Sequence, residues 1–193
     1  MNHLEAYLKY EPYLKGGAYR MTGSVADTED ILQEAYIKWQ KIALDQVESF
    51  QAFLISTTVR LCLDLAKSAP RRREVYPGEW LPEPILSGYL ADPGREVEND
   101  ESLSVAFLLL LERLNPLERA VFLLREVFDY DYDAIADVTD KSEENCRQIF
   151  SRGRKRLAAD ARAAGAFGPG ADIAGLAVAA FDQQIGRVAC RLA

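Results

Sequence analysis

The sequence predicts an all-α fold: two small helical domains joined by a proline-rich linker, followed by a short C-terminal helix. Three observations predict it. Apolar residues recur at intervals of three and four through both halves, the stripe that one buried helix face requires. Runs of β-branched residues alternating with polar ones, the mark of half-buried strands, are absent. Five of the eight prolines (Pro70, Pro77, Pro82, Pro84, Pro93) fall between residues 70 and 93, where each blocks helix continuation and pushes its predecessor to extended geometry. The predicted divisions are therefore a helical domain over 1–69, a linker over 70–99, a second helical domain over 100–164, and a tail over 165–193. Gly165-Ala-Phe-Gly-Pro-Gly170 sets off that tail.

In the first domain, Ser24 followed by Asp27 is a capping-box-like start, and Ile31, Leu32, Ala35, Tyr36, Trp39 and Ile42 then recur at helical spacing. The opposite face of that helix carries Asp27, Asp30, Glu34 and Lys41. A further helix begins near Ser49, with Phe50, Phe53, Leu54, Thr57, Leu61 and Leu65 as its inner stripe and Arg60, Asp64 and Lys67 outside. It runs into Arg71-Arg72-Arg73. In the second domain, Leu103, Ala106, Phe107, Leu110, Leu111 and Leu114 form one apolar face. Asn115-Pro-Leu-Glu118 restarts a helix, with Asn at the cap, Pro in the first turn and Glu three residues after the cap. A short helix over Tyr132 to Thr139, a turn at Asp140-Lys141 and a longer helix from Glu143 to about Ala161, capped by Ser142, make a helix-turn-helix pattern. In the tail, Ile173, Leu176, Ala180, Ile185, Val188 and Leu192 can line one helix.

Composition excludes several function classes. One histidine, His3, leaves no material for a His-based triad or a multi-His metal site. Cys62, Cys146 and Cys190 are far apart and in no CxxC, which fits reduced thiols in a cytoplasm. The longest apolar run, Val105 to Leu111, is far short of the ~18 residues a membrane span needs. The first residues, MNHLEAYLKYEP, read as no secretory signal. A net charge of −7 argues against a nucleic-acid partner only if the charge is even, and it is not. Residues 68–114 carry −4, whereas Lys141 to Arg156 carry six basic residues against Glu143 and Glu144.

Three stretches bear chemistry. On the helix after Ser142, Cys146, Phe150, Gly153 and Leu157 step by four, three and four toward the core. Asn145, Gln148, Ser151, Arg152 and Lys155 share another face, flanked by Arg147 and Arg154. Asn, Gln and Arg can pair bidentately with base edges, while Lys and further Arg neutralise phosphates. An isolated basic helix is as readily a solvated face; the short helix and turn before it favour DNA contact. Asp27, Asp30 and Glu34, at i, i+3 and i+7, admit three readings: a magnesium cluster, a docking face for a basic partner, or an ordinary solvated face. Arg60, Lys67, Arg71, Arg72 and Arg73 place cations along a helix end, with aromatic residues near enough to stack on unpaired bases. In the linker, Trp80, Leu81 and Pro82 are too apolar for a plain spacer and are expected to dock on a domain surface.

Taken in order, these elements resemble a known family. Gly23-Ser-Val-Ala-Asp-Thr-Glu-Asp-Ile-Leu-Gln-Glu-Ala-Tyr36 is similar to region 2 of extracytoplasmic-function sigma factors. Asn115-Pro-Leu-Glu-Arg-Ala-Val-Phe-Leu-Leu-Arg-Glu126, through Arg147-Gln148 and Arg152-Gly-Arg154, is similar to their region 4. Trp80-Leu-Pro-Glu-Pro84 resembles the linker signature of one subgroup that carries a C-terminal extension. The resemblance implies a non-enzymatic, cytoplasmic transcription initiation factor without cofactor or metal. Its implied partners are promoter DNA and core RNA polymerase, the latter through the β′ clamp coiled coil and the β flap. Asp27, Asp30, Gln33 and Glu34 match the clamp-binding face. Arg60, Lys67 and Arg71–Arg73 fall where the melted minus-10 element is held, and Ser142, Asn145, Arg147, Gln148, Ser151, Arg152 and Lys155 where minus-35 is read. Restraint by an anti-sigma protein or by the tail itself is the implied regulation. Two departures stand out: Phe53 and Arg60 replace the Trp and Asn of many members, and a short tail stands where the subgroup adds a folded domain. Two rival readings are a homodimeric helix-turn-helix regulator acting without polymerase and an all-helical magnesium phosphohydrolase.

Overall fold

The computed structural model describes residues 2–68, 108 and 110–163. Six α-helices and one short 3-10 turn account for most of them, with no strand among the described residues. Helix α1, His3–Thr22, opens on a reciprocal cap: Asn2 Oδ1 accepts from the Glu5 amide (2.8 Å) and the Glu5 carboxylate accepts from the Asn2 amide (3.0 Å). It closes at Gly23, whose φ of 67° suits a residue without Cβ. The sequence reading did not define this helix, which carries Pro12 in its middle. Pro12 deprives the Leu8 carbonyl of an amide partner, and Leu8 is half exposed, so water can replace that bond.

Helix α2, Val25–Gln40, starts where the Ser24 hydroxyl accepts from the Asp27 amide (3.3 Å), and it buries Ile31, Leu32, Ala35 and Trp39 as expected. Trp39 is fully buried, its ring against Phe50 and Phe53 at centroid distances of 5.2 and 5.6 Å. Its Nε1 donates to the His3 carbonyl (2.8 Å), and His3 Nε2 lies 2.8 Å from the Ile42 carbonyl. The single histidine thus ties the start of α1 to the end of α2.

Helix α3, Phe50–Ser68, departs from its expected stripe. It buries Leu54, Ile55, Thr58, Val59, Leu61, Cys62 and Leu63, whereas Phe50, Phe53 and Leu65 are only partly covered. A single amphipathic face assumes one neighbouring layer. α3 has two: α1 and α2 on one side, and on the other the helices of the second half.

In that second half Leu110, Leu111 and Leu114 are buried, and α4, Pro116–Glu126, opens on Asn115 with the expected reciprocal cap to Glu118 (2.9 and 3.0 Å). Its five consecutive residues Ala120–Leu124 are all buried, so α4 is covered all round. Helix α5, Tyr132–Thr139, ends at Asp140, which turns the chain at φ 54°. Helix α6, Glu143–Ala163, follows, with the Ser142 hydroxyl accepting from the Asn145 amide (3.3 Å). Cys146, Gly153 and Leu157 face inward as expected, and Phe150 stacks on Phe122 at 6.1 Å. The buried residues of α1–α3 and of α4–α6 form one continuous core.

Candidate functional site

Three surfaces carry the sequence-derived residues. On α2, Asp30, Gln33 and Glu34 are exposed and Asp27 half-buried, one turn apart on one side of the helix. Glu34 pairs with Lys38 (3.3 Å), an exposed i,i+4 contact that a partner's cation can displace cheaply. Ile37, 50% exposed, lies one turn beyond Gln33 and Glu34 and extends the acidic face with an apolar residue. Sequence reading passed over it because a single aliphatic residue outside the stripe carries no pattern. The magnesium reading needs three carboxylates brought together, and among the described residues no group of three His, Cys, Asp or Glu is placed to hold a metal.

On α3, Arg60, Asp64 and Lys67 are exposed as expected, with Lys67 bound to Asp64 at 2.9 Å. Arg60 is not simply solvated: its Nη2 donates to the Asp137 carbonyl of α5 (2.9 Å). Arg71, Arg72 and Arg73, the linker residues Trp80, Leu81 and Pro82, and the tail helix lie outside the described residues.

On α6 the expected reading face is open. Ser142, Asn145, Arg147, Gln148, Ser151, Arg152 and Lys155 are all exposed, and Arg154 beside them. The helix is anchored from behind: Cys146 Sγ lies 3.6 Å from Thr139 Oγ1, and the Phe150 ring meets Tyr132 edge-on at 6.2 Å. Arg147 is held by Glu143 (2.8 Å) and by the Tyr132 ring, against which Arg125 also lies, both guanidinium carbons about 5 Å from the ring centroid. At the far end Arg156 binds Glu118 (3.0 Å), joining α6 to the start of α4. Rigid backing with free polar ends is what a helix needs to place side chains in a major groove at low entropic cost. Two cations therefore have structural partners, Arg147 and Arg156, while Arg152 and Lys155 have none among the described residues.

Comparison with known proteins agrees with this layout. The family profile for sigma-70 region 2 matches residues 6–72, and that for sigma-70 region 4 matches residues 104–157. The extracytoplasmic-function RNA polymerase sigma factor SigJ of Mycobacterium tuberculosis is 41% identical over 148 residues, 76% of this chain and 47% of the relative. The probable sigma factor SigI of the same species is 34% identical over 159 residues, covering 79% of this chain and 53% of the relative. The crystal structure of SigJ superposes with a TM-score of 0.62 at 35% identity, over 80% of this chain and 52% of that one. The Bartonella quintana sigma factor RpoE, solved in complex with the anti-sigma factor NepR, shares the fold with a TM-score of 0.57 at 17% identity, over 78% of this chain and 90% of that one. The chain spans about half the length of the curated relatives SigJ and SigI. With region 2 built on α1–α3 and region 4 on α4–α6, in that order, the chain belongs to the extracytoplasmic-function family of sigma-70 factors.

Proposed function

We propose that the protein is a transcription initiation factor that binds core RNA polymerase and directs it to promoters by reading minus-10 and minus-35 elements. The observation that carries this reading is the open polar face of α6, backed by a rigid helix-turn-helix in the same chain as the acidic face of α2. Asp27, Asp30, Gln33 and Glu34, with Ile37 at their edge, form the polymerase-docking face; its carboxylates suit a basic partner surface, and Ile37 adds apolar contact area. Arg60, Lys67 and the Arg71–Arg73 run hold the displaced strand at minus-10, and Ser142, Asn145, Arg147, Gln148, Ser151, Arg152 and Lys155 contact minus-35. The domains are those the linker prolines mark, 1–69 and 100–164.

The protein itself needs no catalytic group. Polymerase performs the chemistry, and contacts realised only with an unpaired strand shift the duplex toward the open state. The test is a pull-down with core polymerase followed by run-off transcription from the protein's own promoter region. Asp27→Arg with Asp30→Arg should abolish binding to core while leaving the helical signal intact. Equal binding by this variant sinks the reading. A homodimeric regulator acting alone leaves the α2 face without a role.

A further inference from the structure

We propose that Tyr132 is a positioning residue for sequence readout. Its ring, with the Glu143 carboxylate, holds the Arg147 guanidinium in one direction before DNA arrives, which makes Arg147 a base-reading cation of α6 and leaves Arg152 and Lys155 to phosphates. The holding of Arg147 rests on the structure; its use in readout rests on the function proposed above.

Exposure does not distinguish the three cations, since Arg147, Arg152 and Lys155 are all open to solvent. Their surroundings do. Arg147 Nη2 donates to Glu143, one turn back on α6 (2.8 Å), and its Cζ lies 5.0 Å from the Tyr132 ring centroid. Arg152 and Lys155 have no such partner among the described residues. The ring is itself fixed. Tyr132 is half-buried at the start of α5, and Phe150 of α6 meets it edge-on at 6.2 Å. Arg125, in the last turn of α4, brings its guanidinium carbon to 5.1 Å from the same centroid. Arg125 is in turn bound to the Tyr130 carbonyl (2.7 Å) and to the Asp131 carboxylate (3.2 Å). One aromatic platform therefore joins α4, α5 and α6, and Arg147 is the cation on it that belongs to the reading helix.

The two kinds of DNA contact make different demands. An arginine that reads a base edge must present its planar fork in one orientation, and a side chain already fixed loses less freedom on binding. A phosphate contact carries no sequence information and tolerates a mobile cation. Holding Arg147 does not exhaust it, because a guanidinium has five N–H donors and the bond to Glu143 uses one. Its place agrees with the role. Arg147 lies in the second turn of α6, and the N-terminal residues of a recognition helix are those that face base edges; Arg152 and Lys155 lie further along. Tyr132 need not touch DNA to act, since it supports the direction of a side chain that does.

The experiment begins with the free full chain. In its NMR spectrum the Arg147 Nε–H signal, assigned by its absence from Arg147→Ala, should be displaced upfield by the ring. The displacement should persist in Tyr132→Phe and vanish in Tyr132→Leu. Polymerase holoenzyme carrying each variant is then titrated over a salt series with the protein's own promoter region and with copies bearing single base-pair changes in minus-35. Tyr132→Leu should lower the preference for the unaltered sequence about two- to fivefold at unchanged salt slope, while Tyr132→Phe, which keeps the ring, retains it. In an Arg147→Ala background Tyr132→Leu should change the preference no further. Should Tyr132→Leu unfold the helix-turn-helix, Glu143→Gln, at an exposed position, must still lower the preference. An undisplaced Arg147 signal in the wild type overturns the proposal. So does weakening that is equal on all sequences, that persists without Arg147, or that Tyr132→Phe reproduces, the last marking a hydroxyl placed on DNA. A holoenzyme that fails to form would instead overturn the proposed function, while the Arg147 signal still decides the holding.

Discussion

Cys62 shows how a single side chain records its surroundings. It lies on the part of α3 that faces inward, and burial pushes its thiol from the ordinary 9 up to about 12. The unfolded chain releases this proton near pH 9 and the folded one only near 12, so folding retains a proton across that window and stability falls as pH rises through it. Tyr7 and Tyr130, also raised by burial, act in the same direction at higher pH. Arg20, buried in α1 and pushed down to about 10 by desolvation, acts in the opposite one, because there the unfolded chain holds the proton longer. Urea titrations should therefore show stability declining above pH 9 by roughly 1 kcal/mol per pH unit, a decline that Cys62→Ala delays toward pH 10. The same burial keeps the thiol slow toward maleimide in the native state.

Helix boundaries are the scale at which local chemistry and fold agree most closely. Asn115 and Glu118 satisfy each other's backbone amides at the start of α4, and Glu118 additionally receives Arg156 from α6. Asn115→Ala should cost about 1 kcal/mol in thermal or urea unfolding, and Glu118→Ala more, since it also frees Arg156. The turn between α5 and α6 makes the complementary point. Asp140 holds φ at 54°, a left-handed conformation that β-branched residues resist. Asp140→Gly should keep or slightly raise stability, whereas Asp140→Val should lower it by about 1–2 kcal/mol and displace the start of α6. α3 is the element whose character the pattern understated: its burial runs round the helix because two layers meet on it.

The whole molecule is acidic, yet its charge is sorted by surface. The α2 face is negative, α6 carries the densest cations, and the total of −7 describes neither. On the function proposed above, such a protein should bind duplex DNA weakly alone and strongly once polymerase supplies further contacts. In the polymerase complex, Lys155→Ala should reduce the slope of log affinity against log salt by about 1 and weaken all promoters alike, whereas Gln148→Ala should relax sequence preference at constant slope. Promoter binding measured over a salt series on matched and altered minus-35 sequences separates the two.

From the sequence alone followed the helical class, the caps at Ser24, Asn115 and Ser142, the inward step of Cys146, Gly153 and Leu157, and the outward faces of α2 and α6. Each depends on residue type and spacing within a single helix, and spacing is what a sequence states directly. The course of α1 through Pro12, the two-sided burial of α3, the exposure of Ile37 and the partners of Arg60, Arg119 and Tyr130 were decided only by the tertiary structure. All three of those side chains donate to backbone carbonyls, a group every residue carries. No pattern of side chains can announce such an acceptor; only the packing of one helix end against another selects it.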